Sequence, residues 1–541
     1  MQKKILGILL AIVAIITLSF VASAAEVVEI GTAEELVALM NEGDAWVAAA
    51  EDATDEEKAA AEAAKTPSLE KLALSYKLTA DIDLTGIEGQ SPIGRREIPF
   101  TGTFDGDGHT IKGINIDGSN GEFKETALFG GTVGATFLNL TVEGSIKSNG
   151  NNVAGIAGRA ILPLTIKNCV NKATVEMSVM GAMIGVGGIV GSCVLGEDYS
   201  PVLTVENCVN YAAVKSSSNK SAYAGGIVGY IQARKGVEAP YFITVTVTDC
   251  VNYAPVTAEF ATVGGGIVAY ADFAGAGISG SFTLENCANF GNIKAMSYNG
   301  GVLGAVGGDA GNTNMIFNIN NLYNEGDVSG TSDEANNSGA VIGLVRVPAV
   351  VDGVEPVHIS NLMDNSTGIL SVIGAAVGKA VTEENPDKAV LNVSGIYSAN
   401  GTSIITYRNV TSGPIEDLTN IYVNVSNSAV STSDDAAFAA LAANGSEWAT
   451  VDAKPTLASF TELAATAKDV EVIEIQANLP NIVIPTLPSK EETPAVVTTA
   501  EVVDEAPVEK GNAPVGLIIG IVAAVVVIAV VVVVITKGQK K

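Results

Sequence analysis

The chain has 541 residues, 47% of them hydrophobic but only 5% aromatic, with 58 glycines, 30 Lys and Arg against 59 Asp and Glu, and a formal charge of −29. Setting aside Lys3, Lys4, Lys537, Lys540 and Lys541 leaves 25 basic against 59 acidic residues, about −34 for the stretch between them. Such a surface excludes nucleic acid as a partner, because phosphate binding relies on clustered Lys and Arg, and few aromatics with many glycines point to thin strands and tight corners rather than a large globular core.

Residues 1–24 read as a secretory signal peptide, with an uncleaved N-terminal anchor as the alternative that the long apolar run leaves open. Lys3 and Lys4 supply the positive start, Ile5 to Val21 the apolar run, and Ala22-Ser23-Ala24 a small-residue cleavage site. No cysteine precedes Cys169, so a lipidated cysteine at that site is not expected. Residues 25–77 are expected to be a small helical N-terminal segment. Thr32 and Glu35 fit a capping box, Leu36, Leu39 and Met40 share one face, Gly43 ends the helix, and the Ala- and Glu-rich run Asp52 to Lys65 is a second helix with a solvated face.

Residues 78–126 lead into the next region. Phe100 and Phe104 alternate with Thr101 and Thr103, and Asp-Gly pairs follow, which predicts strands joined by tight turns. Asp105, Asp107 and His109 imitate a catalytic or metal cluster. They are read as turn residues, because Asp-Gly is turn chemistry and no second ligand group lies nearby in sequence.

From Ala127 to about residue 402 the chain repeats itself. G-G-I-V-G (Gly187 to Gly191) and L-T-V-E-N-C-V-N-Y-A-A-V (Leu203 to Val214) return as Gly225 to Gly229 with Val245 to Val256, as Gly265 to Ala269 with Phe282 to Ile293, and as Gly300 to Gly304 with Phe317 to Val328. Worn copies flank them at Val153 to Gly158 with Leu164 to Val175, and at Gly339 to Gly343 with Val357 to Ile369. The column Cys169, Cys208, Cys250, Cys287, Leu322, Leu362 steps by 39, 42, 37, 35 and 40 residues, so the phrases hold while the spacers vary. Apolar and polar residues alternate within each phrase, the period of a strand with one buried face. The expectation is an all-β chain: a parallel β-helix (solenoid) of about seven to eight rungs, three strands per period, formed by the G-I-V-G, T-V-E-N and A-A-V-K segments. At ~4.8 Å per rung the prism is ~35 to 40 Å long, and its glycines sit at corners.

Two asparagine columns follow from the same alignment. Asn168, Asn207, Asp249, Asn286, Asn321 and Asn361 form one, and Asn171, Asn210, Asn252, Asn289 and Asn324 the other. Stacked at strand spacing, such side chains can bond each to the next in an amide ladder. The cysteine column holds its Cβ atoms near ~4.8 Å with parallel vectors, beyond the ~3.5 to 4.5 Å of a disulfide, which predicts buried free thiols. Cys193 stands outside the column, and without a CxxC spacing neither zinc nor any other cofactor is expected.

The run from Gly31-Thr-Ala-Glu-Glu-Leu36 through Leu78 to Leu84, Phe100 to Ile114 and Ala127-Leu-Phe-Gly130, followed by Gly188-Ile-Val-Gly191, Gly226-Ile-Val-Gly229 and Gly301-Val-Leu-Gly304, resembles the GLUG-motif group of bacterial surface proteins. Ile or Val stands in the motif's Leu position, and Ala269 replaces a closing Gly. The resemblance covers roughly residues 30–378 and implies an exported, repetitive, adhesin-like protein, with no catalytic residues to transfer.

Residues 403–484 are expected to hold terminal rungs and a cap. Leu391 to Tyr397, Ile404 to Val410 and Leu418 to Val430 read as strands and Asp434 to Asn444 as a helix, while Trp448 and Pro455 to Phe460 would close the open end. Residues 485–514 are a Pro/Thr/Glu-rich linker, able to reach ~90 Å when extended. Residues 515–535 carry no charge over 21 positions and fit a transmembrane helix, and the lysines of 536–541 fit a cytoplasmic tail. Neither Asn512 to Gly516 nor Leu487 to Glu491 makes a well-placed sortase signal, so a retained membrane anchor is expected.

Only His109 and His358 could serve nucleophilic catalysis, and neither has a partner in its flanking sequence. No P-loop, dinucleotide fingerprint or calcium repeat occurs. The sequence therefore favours a non-enzymatic, membrane-anchored surface protein whose variable loops contact a glycan or a host or matrix protein, ahead of a passive envelope spacer or a glycan-active enzyme. Its residues name no ligand-binding site.

Overall fold

The alternation across Leu203 to Glu206, Val245 to Thr248 and Phe282 to Glu285 becomes strand in every case, the apolar members buried and the polar ones half-exposed. The computed structural model describes residues between 27 and 475 with interruptions, the longest interior ones at 378–390, 409–422 and 431–447. The expected signal peptide, linker, membrane span and tail, Gly43, and the helix expected at Asp434 to Asn444 lie outside the described residues. Among the described residues no helix is long and apolar enough to cross a membrane.

The described chain is mostly β, in a 23-stranded, a nine-stranded and a seven-stranded sheet, with one antiparallel pair besides. Successive periods lie parallel and in register. Leu164, Leu203, Val245, Phe282 and Phe317 are partners in one ladder, and Val190, Val228, Val268, Leu303 and Ile342 in a second. This is a parallel β-helix-like repeat fold with like residues stacked over like.

The array is longer than the seven to eight rungs the period suggested. The nine-stranded sheet alone exceeds that number. The long sheet also begins early: Val27–Ile30 pairs with Ser75–Leu78, which pairs in turn with Thr103–Asp105. The N-terminal helices α1 (Ala33–Glu42), α2 (Asp55–Ala63) and α3 (Thr66–Leu72) are thus an excursion between two rungs. Leu36, Leu39 and Met40 of α1 and Leu72 of α3 join the same core as Phe100 and Phe104. The expected capping box is present, with the Glu35 amide donating to Thr32 Oγ1 (3.2 Å) and the Thr32 amide to Glu35 Oε2 (3.1 Å). Thr54 and Glu57 build a second box at the start of α2.

The G-I-V-G phrase is a corner that leads into a strand, and not one strand from end to end. Ile184–Gly187 belongs to the seven-stranded sheet and Val190–Val194 to the nine-stranded one, with Gly188 and Ile189 at the bend. Close approach decides the glycine: a Cβ on Gly188 would lie 2.7 Å from Asn210 Cγ, and one on Gly226 2.5 Å from Asn252 Cγ. The following Ile189, Ile227, Ile267 and Val302 point inward and are fully buried, each such side chain contributing ~1.5 to 3 kcal/mol by leaving water.

The C-terminal described segment departs furthest from expectation. Trp448–Val451 and Lys454–Leu457 form the antiparallel pair, and α4 (Thr461–Thr466) follows. In place of closing the last rung, this strap runs back along the flank. Phe460 packs on Tyr323 (centroids 5.7 Å apart), Ser459 and Asn321 bond each other, and Ile473 pairs with Ala212. Leu457 and Phe460 are buried there with Tyr253, Tyr323, Met363 and Tyr397. Leaving water on this apolar flank is what favours Leu457 and Phe460 there.

Candidate binding surface

The stacking register turns each outward strand position into a column. On the long sheet Thr103, Thr136, Thr165, Thr204, Thr246, Thr283, Asn318, His358 and Asn392 are successive partners. That column carries no carboxylate and no ammonium. The next outward column runs Lys167, Glu206, Thr248, Glu285, Asn320, Ser360 and Ser394. Its charges are largely engaged: Lys167 pairs with Glu206 at 2.6 Å, and Asn320 donates to Glu285 at 2.9 Å. To the other side lie Thr244, Ser281 and Ile316, then Phe242 and Ser279. Phe242 is 70% and Ile316 46% exposed. The result is a flat face of hydroxyl and amide groups at strand spacing with two apolar side chains standing on it, on a chain that is otherwise strongly acidic.

Both asparagine columns are ladders, and they differ in kind. In the buried one, Asn171 Nδ2 donates to Asn210 Oδ1, Asn210 to Asn252, Asn252 to Asn289 and Asn289 to Asn324, at 2.7 to 2.9 Å. Each of these amides also donates to the carbonyl two residues on, and Asn171 and Asn210 accept the amide of that same residue. The inward amides are therefore satisfied without water. The ladder ends at Asp364, where the Asn324 contact lengthens to 3.5 Å and the corner glycine column gives way to Ala340. Burial pushes the Asp364 carboxyl up, opposed by bonds from Ser398 and Ser366.

The exposed ladder explains its residue type differently. Asn139, Asn168, Asn207, Asp249, Asn286, Asn321 and Asn361 all have φ between 50° and 56°, the left-handed conformation that Asn and Asp tolerate best after glycine. Asn168 donates to Asn139, Asn207 to Asn168, Asn286 to Asp249 and Asn321 to Asn286. Asn361 turns instead to Asn320. The sequence pattern predicted the ladders but not the left-handed turn, although the Asp in the column was a signal for it.

Cys169, Cys208, Cys250 and Cys287 stack inside as expected, and neither they nor Cys193 form disulfides. Cys208, Cys250 and Cys287 touch carbonyls of their own and the preceding rung. Burial pushes the Cys169, Cys193 and Cys250 thiols up, which keeps them protonated and poor nucleophiles.

Asp105, Asp107 and His109 occupy the expected turn. Asp105 accepts the Asp107 amide at 2.9 Å, Asp107 is left-handed, and Lys77 pairs with it at 3.0 Å. His109 has a partner that the flanking sequence did not reveal: its Nδ1 lies 3.1 Å from Asp81 Oδ1. Asp81 also accepts the Thr110 amide, and these two bonds hold its carboxyl below the usual range. Among the described residues, no group of three or more His, Cys, Asp and Glu side chains could hold a metal. A shallow hollow of about 100 Å³ lies beside Pro92, Phe123 and Glu125. Glu125 is buried there against Arg96 Nε at 3.1 Å. His358 stands on the open face between Asn318 and Asn392.

Fold and surface together define a β-helix-like repeat protein whose recurring outward features are arrays and not pockets. No family model matches the chain. Over 130 residues it is 34% identical to Halomucin of Haloquadratum walsbyi, an overlap of 22% of this chain and 1% of that protein. The chain thus spans a very small part of the relative it matches. A solved structure described as a proposed immunoglobulin A1 protease from Bacteroides ovatus aligns over 80% of this chain and 92% of its own, at 15% identity and a TM-score of 0.29. A superposition that loose assigns no activity here.

Proposed function

We propose that this chain is an exported cell-surface protein of the GLUG-like kind, held by a C-terminal membrane span, that adheres through the flat face of its long sheet. The observation that carries the reading is the in-register column from Thr165 to Asn392, flanked by Phe242 and Ile316. Hydroxyls and amides at a fixed spacing offer alternating donors and acceptors, and an exposed ring offers an apolar surface for C–H groups. An uncharged central column on an acidic molecule suits an uncharged polymer, a glycan above all, and disfavours a polyanion. The Halomucin overlap is in keeping with an extracytoplasmic role.

The test is a glycan and matrix-protein array probed with residues 25–484 and with the same fragment carrying Phe242→Ala or Thr246→Lys. Binding by the parent that both substitutions abolish supports the face. Silence of the parent across the array removes adhesion and leaves a spacer; binding that both variants retain moves the site to the loops. New reducing ends on an arrayed glycan would make the protein an enzyme.

A further inference from the structure

The C-terminal strap ties the chain to the middle of the stack. Ile473 lies beside Tyr211 to Ala213, several rungs before the last one. Any pull applied from the C-terminal side reaches the strap before it reaches a rung, because the chain must pass through residues 448–473 to get there.

The strap is held much less firmly than a rung. Among the described residues, its backbone attachment to the flank near residue 473 is two bonds, Ala213 amide to Ile473 carbonyl at 2.8 Å and Ile473 amide to Tyr211 carbonyl at 2.9 Å. The Ser459–Asn321 pair, the burial of Leu457 and Phe460, and the half-buried Leu463, Ala464, Ala467, Val470 and Val472 add side-chain contacts. By contrast, Tyr241–Thr248 is in register with Ile278 to Glu285 along its whole length, and the same rung pairs again in the other two sheets.

The rings beneath the strap also pack on one another. Tyr211 and Tyr253 stack at 5.1 Å and 9°, Tyr253 and Phe290 at 5.2 Å and 12°, and Phe290 meets Tyr323 at 5.5 Å. The rings hide their faces against one another, and Lys172 Nζ sits 5.9 Å from the Tyr211 centroid. The row is a packed spine to which Phe460 adds a ring at the Tyr323 end.

We infer that the strap is a load-release element: tension on the C-terminal side peels residues 448–473 from the flank while the rungs remain folded, lengthening the tether and uncovering the Tyr323 end of the aromatic row. The inference is independent of which ligand the face binds.

The experiment pulls the full-length protein by its two ends and compares it with a Leu457→Ala/Phe460→Ala variant, which removes the two buried side chains of the strap. At about 3.4 Å per residue, residues 448–473 hold about 90 Å of chain, and their release should appear as a low-force step of at most that length that precedes loss of any rung. In the variant that step should fall in force or vanish while the later steps keep their forces. A first step of rung length in the parent, or a strap step whose force the variant leaves unchanged, overturns the proposal. Hydrogen exchange at rest provides a check that does not depend on pulling. The Ile473 and Ala213 amides should exchange at least a hundredfold faster than those of Val245 and Phe282, and equal protection counts against release.

Discussion

Replacing Asn252 by Ala tests whether the buried amide ladder holds adjacent rungs together. Asn252 donates to Ala254 O at 2.8 Å and Asn289 Oδ1 at 2.7 Å, and accepts from Asn210 Nδ2 at 2.8 Å, all beyond reach of solvent. Truncation strips three buried groups of a partner. At about 1 to 3 kcal/mol for each orphaned group the loss is about 3 to 9 kcal/mol, since a dry corner has no water to stand in. The exposed ladder supplies the control. Asn207→Ala loses a solvated bond and forces Ala to φ 52°, about 1 to 2 kcal/mol, whereas Asn207→Gly costs almost nothing. A repeat array has no single unfolding equilibrium, so hydrogen exchange at the Tyr253 and Phe290 amides, which bridge the rungs on either side, is the suitable readout. Asn252→Ala should speed it by about a hundredfold or more, at 1.4 kcal/mol per factor of ten. An acceleration below tenfold, or one no larger than that of Asn207→Ala, would show that strand pairing alone sets the register.

Asp364→Asn should stabilise the C-terminal rungs at neutral pH, by about 1 kcal/mol, because it restores a donor at the end of the ladder. The raised Asp364 carboxyl binds its proton more tightly folded than unfolded, so its penalty grows as pH rises above 3.8 and is absent below. The gain from Asn should therefore vanish in acid, and a gain constant with pH would contradict the assignment. Gly226→Ala should destabilise its corner severely, since the new Cβ meets Asn252 and the Gly266 carbonyl; a melt indistinguishable from the parent's would refute the close approach. An aromatic disulfide reagent should label no cysteine in the native protein and all five after denaturation. Phe242→Ala, at a 70% exposed position, should shift stability by less than about 0.5 kcal/mol, so any binding loss it causes is not a folding defect.

Much of the architecture was legible because the repeat imposes one register on every column. Cys169 to Cys287 and Asn171 to Asn324 could be aligned by eye, and they stack as aligned. The position of the corner was not legible. Gly188 is glycine because Asn210 lies against it from a segment some twenty residues on, a contact that no local pattern encodes. Val27–Ile30 escaped notice as a rung because the three helices separate it from its partner strand. The strap was placed at the wrong surface for a related reason: the apolar flank it covers exists only once Tyr253, Tyr323 and Met363 have been stacked from separate periods. The candidate face was half-written, since Thr204, Thr246 and Thr283 are visible in the phrases while Phe242 and Ile316 fall outside the shared text.

The two ladders also run in opposite senses. In the interior each amide donates toward the later rung, from Asn171 to Asn210 and onward; on the exterior the donating amides point toward the earlier one, as Asn207 does to Asn168. The interior row is one continuous string of aligned dipoles, while the exterior row is broken at Asp249, which accepts from Asn286. A duplicated period that carries Asn in both columns therefore adds one amide dipole in each sense along the axis.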